Sequence, residues 1–375
     1  MIWFIIVLFT CYTILIISLT FGFIRIKEFK EKNTKEQTAF SVIIPFRNEA
    51  KNLPNLFKSI SELNYSHDLV EFIFVDDASS DNSVELIKKF IPNIGMVTKV
   101  IKNKRTSNSP KKDAISTAIS IAKNNWIITT DADCILPKEW LKKFNSFIKK
   151  NNPKMVVGPV NYKAKNNFLE QFQLLDFMSM QGSTIGGFGI NFPFLCNGAN
   201  LAYKKDDFIR LNGFEGNNTM ASGDDIFLFE KFIEDDKKSV HILKSKEATV
   251  STFPTKTWSK LINQRTRWAA KTNNLKSINV KIIGLIIILV NAFIIVNFFG
   301  FTIQINSYKN LLFLLGLKLT IDLFLFVPTI RFYKNEKTFL IWYIFSSLFY
   351  PFFSVLIIFN SLFFEYNWKG RRFKK

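Results

Sequence analysis

Four long apolar runs set the strongest limit on what this chain can fold into. The first occupies residues 1–24, and three more lie at residues 282–303, 311–330 and 338–364. A helix that crosses a bilayer needs about 20 mostly apolar residues, so each run is long enough. The 42 Phe residues also indicate apolar surface that faces something other than water. We therefore predict N-terminal and C-terminal transmembrane helices around a polar middle region.

The first run is predicted to be an uncleaved anchor. No positive charge precedes it and no small-residue cleavage site follows it, whereas Arg25, Lys27, Lys30 and Lys32 come directly after it. The positive-inside rule then puts its carboxyl side in the cytosol. A cleaved secretory signal peptide remains the alternative. Residues 25–39 are predicted to be a basic linker.

The C-terminal run of charges conflicts with a simple count of spans. Five of the eight residues 368–375 are Lys or Arg, which favours a cytosolic tail, yet an anchor followed by three full spans would end outside. We therefore expect two or three membrane helices, with Pro351 splitting the last run into a re-entrant or interfacial segment. Lys318 and Asp322 lie four apart in the second run, so they can pair on one helix face.

The net charge of +20 suits a nucleic acid, an anionic membrane surface or a polyanionic substrate. No nucleic-acid-binding motif occurs, and the Lys residues are scattered, so we predict membrane lipids and no nucleic acid as partners. The cysteines Cys11, Cys134 and Cys196 are widely spaced, which argues against a disulfide framework and is consistent with a reducing compartment.

The middle region has the rhythm of an α/β domain. β-rich runs at residues 40–44, 70–75, 96–101 and 126–130 alternate with helical patterns at residues 52–63, 83–90 and 113–123. This order predicts a Rossmann-like, mostly parallel sheet flanked by helices. Ligands of such sheets bind beyond the carboxyl ends of the strands.

Polar residues follow the first two predicted strands. Pro45 is expected to end the first strand and to leave Arg47 and Glu49 at its tip, where they could line a nucleotide pocket. The turn lacks Gly-x-Gly-x-x-Gly, which argues against an NAD or FAD enzyme. Asp76 and Asp77 follow the second strand, and such paired carboxylates need donors, which a base N–H or a ribose hydroxyl would supply.

Later motifs supply metal and acid–base chemistry. Asp131 and Asp133 are expected to project from the same side of an extended strand tip and to suit Mg²⁺ or Mn²⁺ that is also ligated by a diphosphate. A carboxylate of the pair Asp224 and Asp225 could deprotonate an acceptor hydroxyl. In the segment QRTRW, Gln264, Arg267 and Trp268 could hold a diphosphate and stack on a sugar. Taken singly, each motif could be a helix cap or an interfacial anchor.

Taken in order, the segments IIPFRNE, VDDASSD, TDADC, GDD and QRTRW resemble the membrane-bound bacterial branch of the family-2 glycosyltransferases, which have the GT-A fold. The resemblance covers about residues 41–271. It implies that the nucleotide-sugar is bound by Pro45, Arg47, Glu49, Asp76, Asp77, Lys111 and Asp131. It further implies a metal at Asp131 and Asp133, Asp225 as general base, and a diphosphate and acceptor site at Asp224, Gln264, Arg267 and Trp268. Pro110 stands where the family commonly has Gly, and Asp224 where many members have Glu.

The resemblance predicts an inverting glycosyltransferase that passes a sugar, from a UDP-sugar foremost, to a lipid or lipid-linked glycan. It also predicts a multi-pass protein of the plasma membrane with a cytosolic GT-A domain at residues 40–278 and a membrane region with a basic tail at residues 279–375. A processive polysaccharide synthase is the main alternative, although three C-terminal runs are few for a polymer channel. A non-catalytic nucleotide-binding scaffold is the other. The Gly-rich residues 182–189 are expected to form a flexible gate.

Overall fold

The computed structural model describes residues 2–31, 35–217, 220, 222–272, 275–305, 307–335, 338–368 and 371–373. The chain divides into two compact units. The sheet unit consists of Lys27–Lys163 and Cys196–Phe253, and the helical unit of Met1–Ile26, Ala164–Leu195 and Pro254–Lys375.

The helices are, in chain order, α1 (Ile2–Arg25), α2 (Leu53–Ser61), α3 (Ser83–Phe90), α4 (Pro110–Ile121), α5 (Trp140–Asn151), α6 (Phe168–Gly189), α7 (Lys205–Arg210), α8 (Ile226–Asp236), α9 (Trp258–Thr272), α10 (Ile278–Thr302), α11 (Tyr308–Tyr333) and α12 (Phe339–Phe363). The strands are β1 (Phe40–Phe46), β2 (Val70–Asp76), β3 (Val97–Lys102), β4 (Trp126–Thr129), β5 (Met155–Val157), β6 (Val160–Tyr162), β7 (Leu201–Lys204), β8 (Val240–Ile242), β9 (Val250–Thr252), β10 (Tyr366–Trp368) and β11 (Arg371–Phe373).

The sheet unit is built on a seven-stranded sheet of order β3-β2-β1-β4-β7-β5-β8. β1 lies inside the sheet and pairs in parallel with both neighbours, so that Val42 lies opposite Phe72 and Ile128. Strands covered on both faces read as continuous apolar runs, which explains why β1 and β2 are apolar and fully buried over most of their length. The predicted mostly parallel α/β sheet is confirmed. β7 is antiparallel to both β4 and β5.

The prediction that Pro45 ends the first strand is wrong, because β1 continues to Phe46. Thr130 N–H donates to the carbonyl of Ile43, on the β4 side, and Asp77 N–H donates to that of Phe46, on the β2 side. The backbone groups of successive strand residues point to opposite neighbouring strands, so the backbone nitrogen of Pro45 points toward β4. The pairing of β1 with β4 has already ended at Ile43. The missing proline N–H breaks no ladder hydrogen bond there.

The helical unit contains the apolar runs. Among the described residues, α1, α10, α11 and α12 are each long and apolar enough to cross a membrane, which gives one N-terminal and three C-terminal candidates. Large apolar side chains stay exposed on these helices, among them Phe21, Phe299, Phe313 and Phe345, as expected of surfaces that face lipid. α6 and α9 also belong to this unit, although the predicted domain at residues 40–278 includes them. The domain bounds stay a prediction.

The expectation that Pro351 splits the last run is wrong. α12 is one helix of 25 residues with Pro351 inside it. Proline is tolerated within membrane helices because neighbouring helices, hydroxyl side chains and small local adjustments satisfy the freed backbone groups. The side on which the tail lies stays a prediction.

The Gly-rich residues 182–189 are part of α6 and not a flexible gate, so that prediction is also wrong. They form a close contact with α1. A Cβ added to Gly186 would lie 2.3 Å from the carbonyl oxygen of Leu19, and one added to Gly189 would lie 1.9 Å from that of Gly22. Small residues allow the backbones of two helices to approach closely, and this approach is the reason for the glycines.

We therefore expect Gly186→Ala to destabilise the helical unit by roughly 1–3 kcal/mol, the usual cost of overpacking. Thermal unfolding of the detergent-solubilised protein measures this. Gly284→Ala on α10 is the matched control, because a Cβ there meets nothing within 4 Å. Alanine also favours helix over glycine, so the control should unfold at the same or a slightly higher temperature. Equal midpoints for the two variants would contradict the close packing of α1 on α6.

Charged and polar side chains are buried inside the helical unit. The Lys318 ammonium lies 2.6 Å from the carboxylate of Asp322, which confirms the predicted pair on one face of α11. The Tyr12 hydroxyl on α1 donates to the same carboxylate. α1 is thus fastened to α11 by a buried polar contact, in addition to its packing against α6.

Candidate active site

The tip of β2 carries a carboxylate that is held by two donors. Arg105 Nε and Asn103 Nδ2 donate to Asp77 Oδ1 at 2.7 and 2.8 Å. Arg47 donates to the carbonyls of Asp77 and Ala78 at 2.7 and 2.9 Å. Two guanidinium groups therefore surround this turn and fix it.

Two other predicted nucleotide-binding residues have local structural partners. Asp76 Oδ1 accepts the N–H of Ser79 at 2.9 Å, which closes the turn after β2. Glu49 Oε2 accepts Asn52 Nδ2 at 2.6 Å, and Glu49 N–H donates to Ser83 Oγ at 2.9 Å. The tips of β1 and β2 are thus tied together. Pro45 lies in β1, immediately before this tip.

Asp131 and Asp133 lie on a turn. β4 ends at Thr129, and the N–H of Cys134 donates to the carbonyl of Asp131 at 3.1 Å. The expectation of an extended tip is therefore wrong, because the chain bends before it forms a bridge between Ile135 and Ser251. A turn can still bring two carboxylates that are two residues apart to one cation, since the chain folds back between them.

Lys111 joins two of the predicted motifs. Its ammonium lies 2.7 Å from Asp131 Oδ1 and 3.1 Å from Asp224 Oδ2. Burial alone would lower the pKa of Lys111, but the carboxylates of Asp131 and Asp224 outweigh it and raise the pKa above its ordinary value. The ammonium is therefore charged at neutral pH, and it neutralises a cluster that would otherwise repel itself.

The Asp224–Asp225 pair directly precedes α8. Gly223 has a φ of +87°, a conformation that favours glycine, and its turn places the two carboxylates before the helix. Asp225 Oδ1 accepts the N–H of Ile226 at 2.8 Å and Oδ2 accepts that of Gly198 at 3.2 Å. Asp225 is thus both a helix cap and an oriented, half-buried carboxylate.

Gly198 belongs to the segment that leads into β7. A Cβ at Gly198 would come within 3.1 Å of Asp224 Oδ2 and 3.2 Å of Asp225 Cβ. Thr129 at the end of β4 donates to the carbonyl of Gly198 at 2.9 Å. The strand that precedes Asp131 therefore also positions the loop against which the two carboxylates pack.

The donor set fits a divalent cation only if a ligand completes it. Within the described ranges no group of three or more His, Cys, Asp or Glu side chains is arranged to hold a metal. Asp131 and Asp133 offer two hard oxygen ligands, and Mg²⁺ is commonly held by one or two carboxylates together with substrate phosphates. The residues therefore suit a cation that arrives with a diphosphate.

The QRTRW segment lies on α9 of the helical unit. Arg265, a residue that the sequence analysis did not select, is 5% exposed and donates from Nε to Asp176 Oδ2 at 2.5 Å. It also donates to Gln264 Oε1 at 2.6 Å and lies 4.1 Å from the ring centroid of Trp268. Whether Gln264, Arg267 and Trp268 act with the carboxylates of the sheet unit stays a prediction.

Asn103, Arg105 and Arg265 were not predicted from the sequence. The first two lie 26 and 28 residues from Asp77, at the tip of the neighbouring strand β3. The parallel order β3-β2 brings the ends of these strands together, so the pattern of strands could have suggested them. No sequence signal pairs Arg265 with Asp176, because the two lie 89 residues apart.

Comparison with known proteins agrees with these motifs. The family model described as Glycosyl transferase family group 2 matches residues 126–364, which is more than half of the chain. The model described as Glycosyl transferase family 2 matches residues 41–209. The chain belongs to the family-2 glycosyltransferases. Together the two matches include all five of the segments that carry the resemblance.

Two relatives from Staphylococcus aureus are similar over part of this family-2 chain. Poly(ribitol-phosphate) beta-N-acetylglucosaminyltransferase TarS is 28% identical over 109 residues, 29% of this chain and 18% of TarS. Poly-beta-1,6-N-acetyl-D-glucosamine synthase is 25% identical over 156 residues, 40% of this chain and 35% of the synthase. The chain thus spans about a third or less of the length of these relatives.

A solved structure supports the fold of this family-2 member. Mannosyltransferase PcManGT from Pyrobaculum calidifontis, in complex with GDP-Man and Mn²⁺, superposes with a TM-score of 0.54 at 14% identity. The match covers 95% of this chain and 98% of that one. The predicted GT-A fold is confirmed.

Proposed function

We propose that this protein is an inverting glycosyltransferase that transfers a sugar from a nucleotide-diphosphate sugar, a UDP-sugar foremost, to a lipid or lipid-linked glycan acceptor. The observation that carries the proposal is that one ammonium group contacts residues of two family motifs. Lys111 contacts Asp131 of TDADC and Asp224 of GDD in the sheet unit. A cluster of opposite charges at strand tips suits a charged donor such as a sugar nucleotide.

The proposed reaction is one displacement at the anomeric carbon. The acceptor oxygen forms a bond to that carbon as the bond to the diphosphate oxygen breaks, and Asp225 takes the acceptor's proton. The backbone N–H groups of Ile226 and Gly198 hold the two oxygens of Asp225 in fixed directions. Lys111 and Arg105 place positive charge near the nucleotide-binding turns, where it can balance the departing diphosphate.

Asp131 and Asp133 are the residues that would hold Mg²⁺ or Mn²⁺. Such a cation supplies positive charge that stabilises the leaving nucleoside diphosphate. The mannosyltransferase with the similar fold is described in complex with Mn²⁺. This supports a metal-dependent donor site, with the metal and the diphosphate binding together.

The four apolar helices support an acceptor at a membrane. Helices of this length and composition attach a transferase to the bilayer, where lipid-linked acceptors are found. We propose the cytosolic face of the plasma membrane, because basic residues follow the first helix and make up the tail. The lipids of that surface are then natural partners of the basic residues.

A processive polysaccharide synthase is the second candidate function. The match to poly-beta-1,6-N-acetyl-D-glucosamine synthase favours it. Three C-terminal helices are few for the polar wall of a polymer channel, which favours single addition to a lipid.

The experiment that separates the two uses membranes that contain the protein and a panel of radiolabelled UDP-, GDP- and dTDP-sugars. Label in the lipid extract supports transfer to a lipid acceptor, and label in insoluble polymer supports the synthase. Membranes that carry Asp225→Asn serve as the matched control. Incorporation with no donor of the panel would contradict both functions.

The position of Lys111 predicts that its ammonium competes with the metal ion for the carboxylate of Asp131. Lys111→Met should raise the affinity of the donor-free protein for Mn²⁺ by about tenfold or more, because removing the ammonium leaves Asp131 without its cation. Binding of the donor should weaken at the same time. Titration of Mn²⁺ followed by electron paramagnetic resonance measures the first effect. Lys99→Met is the control, since it removes the same charge from a pair with Glu71 on the same sheet. Equal Mn²⁺ affinities for the two variants would exclude the competition.

A further inference from the structure

We propose that Arg265 and Asp176 form a positioning pair that fixes the side chains of Gln264 and Trp268. The inference deepens the proposed function, because it takes Gln264 and Trp268 to hold the diphosphate and the acceptor. In this proposal Arg265 and Asp176 do not contact the ligand themselves and act through Gln264 and Trp268.

The pair is almost completely shielded from water. Arg265 is 5% and Asp176 8% exposed, and Nε lies 2.5 Å from Oδ2. Such a short, dry, charge-assisted hydrogen bond is strong and directional. It therefore fixes the plane of the guanidinium relative to α6.

One guanidinium then contacts two residues of the motif. It donates to Gln264 Oε1 at 2.6 Å, and its carbon lies 4.1 Å from the ring centroid of Trp268. Trp268 is three residues further along α9, so its ring lies next to Arg265 on the helix surface. Phe177 on α6 contacts the same indole, with ring centroids 6.4 Å apart. Gln264 and Trp268 are thus held through one group that is itself anchored.

Attachment of α9 does not require this pair. Leu261, one turn before Arg265, is fully buried in an apolar cluster with Phe172 of α6 and with Phe353 and Ile357 of α12. Buried ion pairs can often be replaced by apolar residues without loss of stability, so the apolar contacts are sufficient to dock the helix. What the ion pair adds is the orientation of the polar and aromatic side chains around it.

The chemistry of arginine gives a sharp test. A planar guanidinium can donate to a carboxylate and an amide in different directions while its face stacks on an indole, whereas a lysine ammonium acts as a point charge. Arg265→Lys should therefore keep the charge next to Asp176 but release Gln264 and Trp268. Asp176→Asn should have a smaller effect in the same direction, because an amide oxygen still accepts a hydrogen bond.

The experiment uses the full chain labelled with 5-fluorotryptophan, in detergent, and ¹⁹F NMR. The chain has 7 Trp residues, and Trp268→Phe assigns the resonance of Trp268. We expect Arg265→Lys to shift or broaden that resonance alone and to lower kcat/KM by roughly 10–100-fold, as for other residues that orient a reactive group. The thermal midpoint should change little.

Asp322→Asn is the matched control, since it breaks another buried ion pair in the helical unit. It should lower the thermal midpoint and leave the Trp268 resonance and the kcat/KM of the folded protein unchanged. An unchanged Trp268 resonance in Arg265→Lys would overturn the proposal. If Arg265→Lys does not fold, the same resonance in Asp176→Asn decides: a shift supports the pair and no shift overturns it. The Trp268 resonance could shift in Arg265→Lys although the wild-type protein is inactive with every donor. That result would overturn the proposed function and leave the orientation of the indole by Arg265 established.

Discussion

Asp225→Asn should lower the rate of sugar transfer by roughly 10²–10⁴-fold, the usual effect of removing a general base, while donor binding stays close to that of the wild type. An amide has nearly the shape of a carboxylate but cannot take the proton of the acceptor hydroxyl. Asparagine is also a good helix N-cap, so α8 should still begin normally. Initial rates with saturating donor, together with a donor titration by calorimetry, separate the two effects.

Asp224→Asn is the paired comparison. Asp224 contacts Lys111 and is more buried than Asp225, so its replacement should mainly weaken donor binding by disturbing the ammonium. If Asp225→Asn keeps near-normal turnover while Asp224→Asn is inactive, the general base is Asp224. If both variants are active, the two carboxylates have structural roles only: Asp225 caps α8 and Asp224 pairs with Lys111.

The second large effect is expected at the turn after β4. Asp133→Asn should weaken the binding of Mn²⁺ and of the sugar nucleotide together, each by roughly 10²-fold, because it removes a charged ligand from a cation that also holds the diphosphate. Asp131→Asn should act in the same way and should also leave the Lys111 ammonium with Asp224 as its ion-pair partner. Calorimetric titrations of each ligand, with and without the other, measure the coupling.

Asp81→Asn is the control for these variants. Asp81 is another acidic residue near the strand tips, but its carboxylate accepts hydrogen bonds from Ser83 and from the N–H of Ala50. Its replacement should leave Mn²⁺ binding unchanged. Transfer that continues undiminished in excess EDTA would remove the metal from the account.

The central strands could be predicted from the sequence because they are covered on both faces. A continuous apolar run such as that of β2 has few other ways to be buried. β7 was not predicted, since its four residues lie far along the chain and pair with β4 in the antiparallel direction. The predicted strand end at Pro45 and the predicted helix break at Pro351 were wrong because a proline interrupts an element only where its missing N–H is needed. That requirement depends on neighbours that a local pattern does not reveal.

The same distinction holds for the candidate site. Asp131 and Asp224 could be selected because each follows or precedes a recognisable element. Their common contact with Lys111 depends on how α4 and α8 pack, which no spacing reports. The helical character of residues 182–189 was missed because glycine signals flexibility in a loop but close packing between membrane helices. Local motifs therefore identified the chemistry, and tertiary structure supplied the partners that orient it.

This chain is proposed to transfer sugar from a nucleotide donor by acid–base chemistry at the strand-tip carboxylates. The most direct measurement is the release of nucleoside diphosphate by the purified protein, with UDP-, GDP- and dTDP-sugars, Mn²⁺ and a lipid extract as acceptor. We predict release from one donor that depends on the extract, is matched by label in the lipid fraction and is lost in Asp225→Asn. Equal release in the wild type and in Asp225→Asn would contradict the account. So would the absence of release from every donor of the panel.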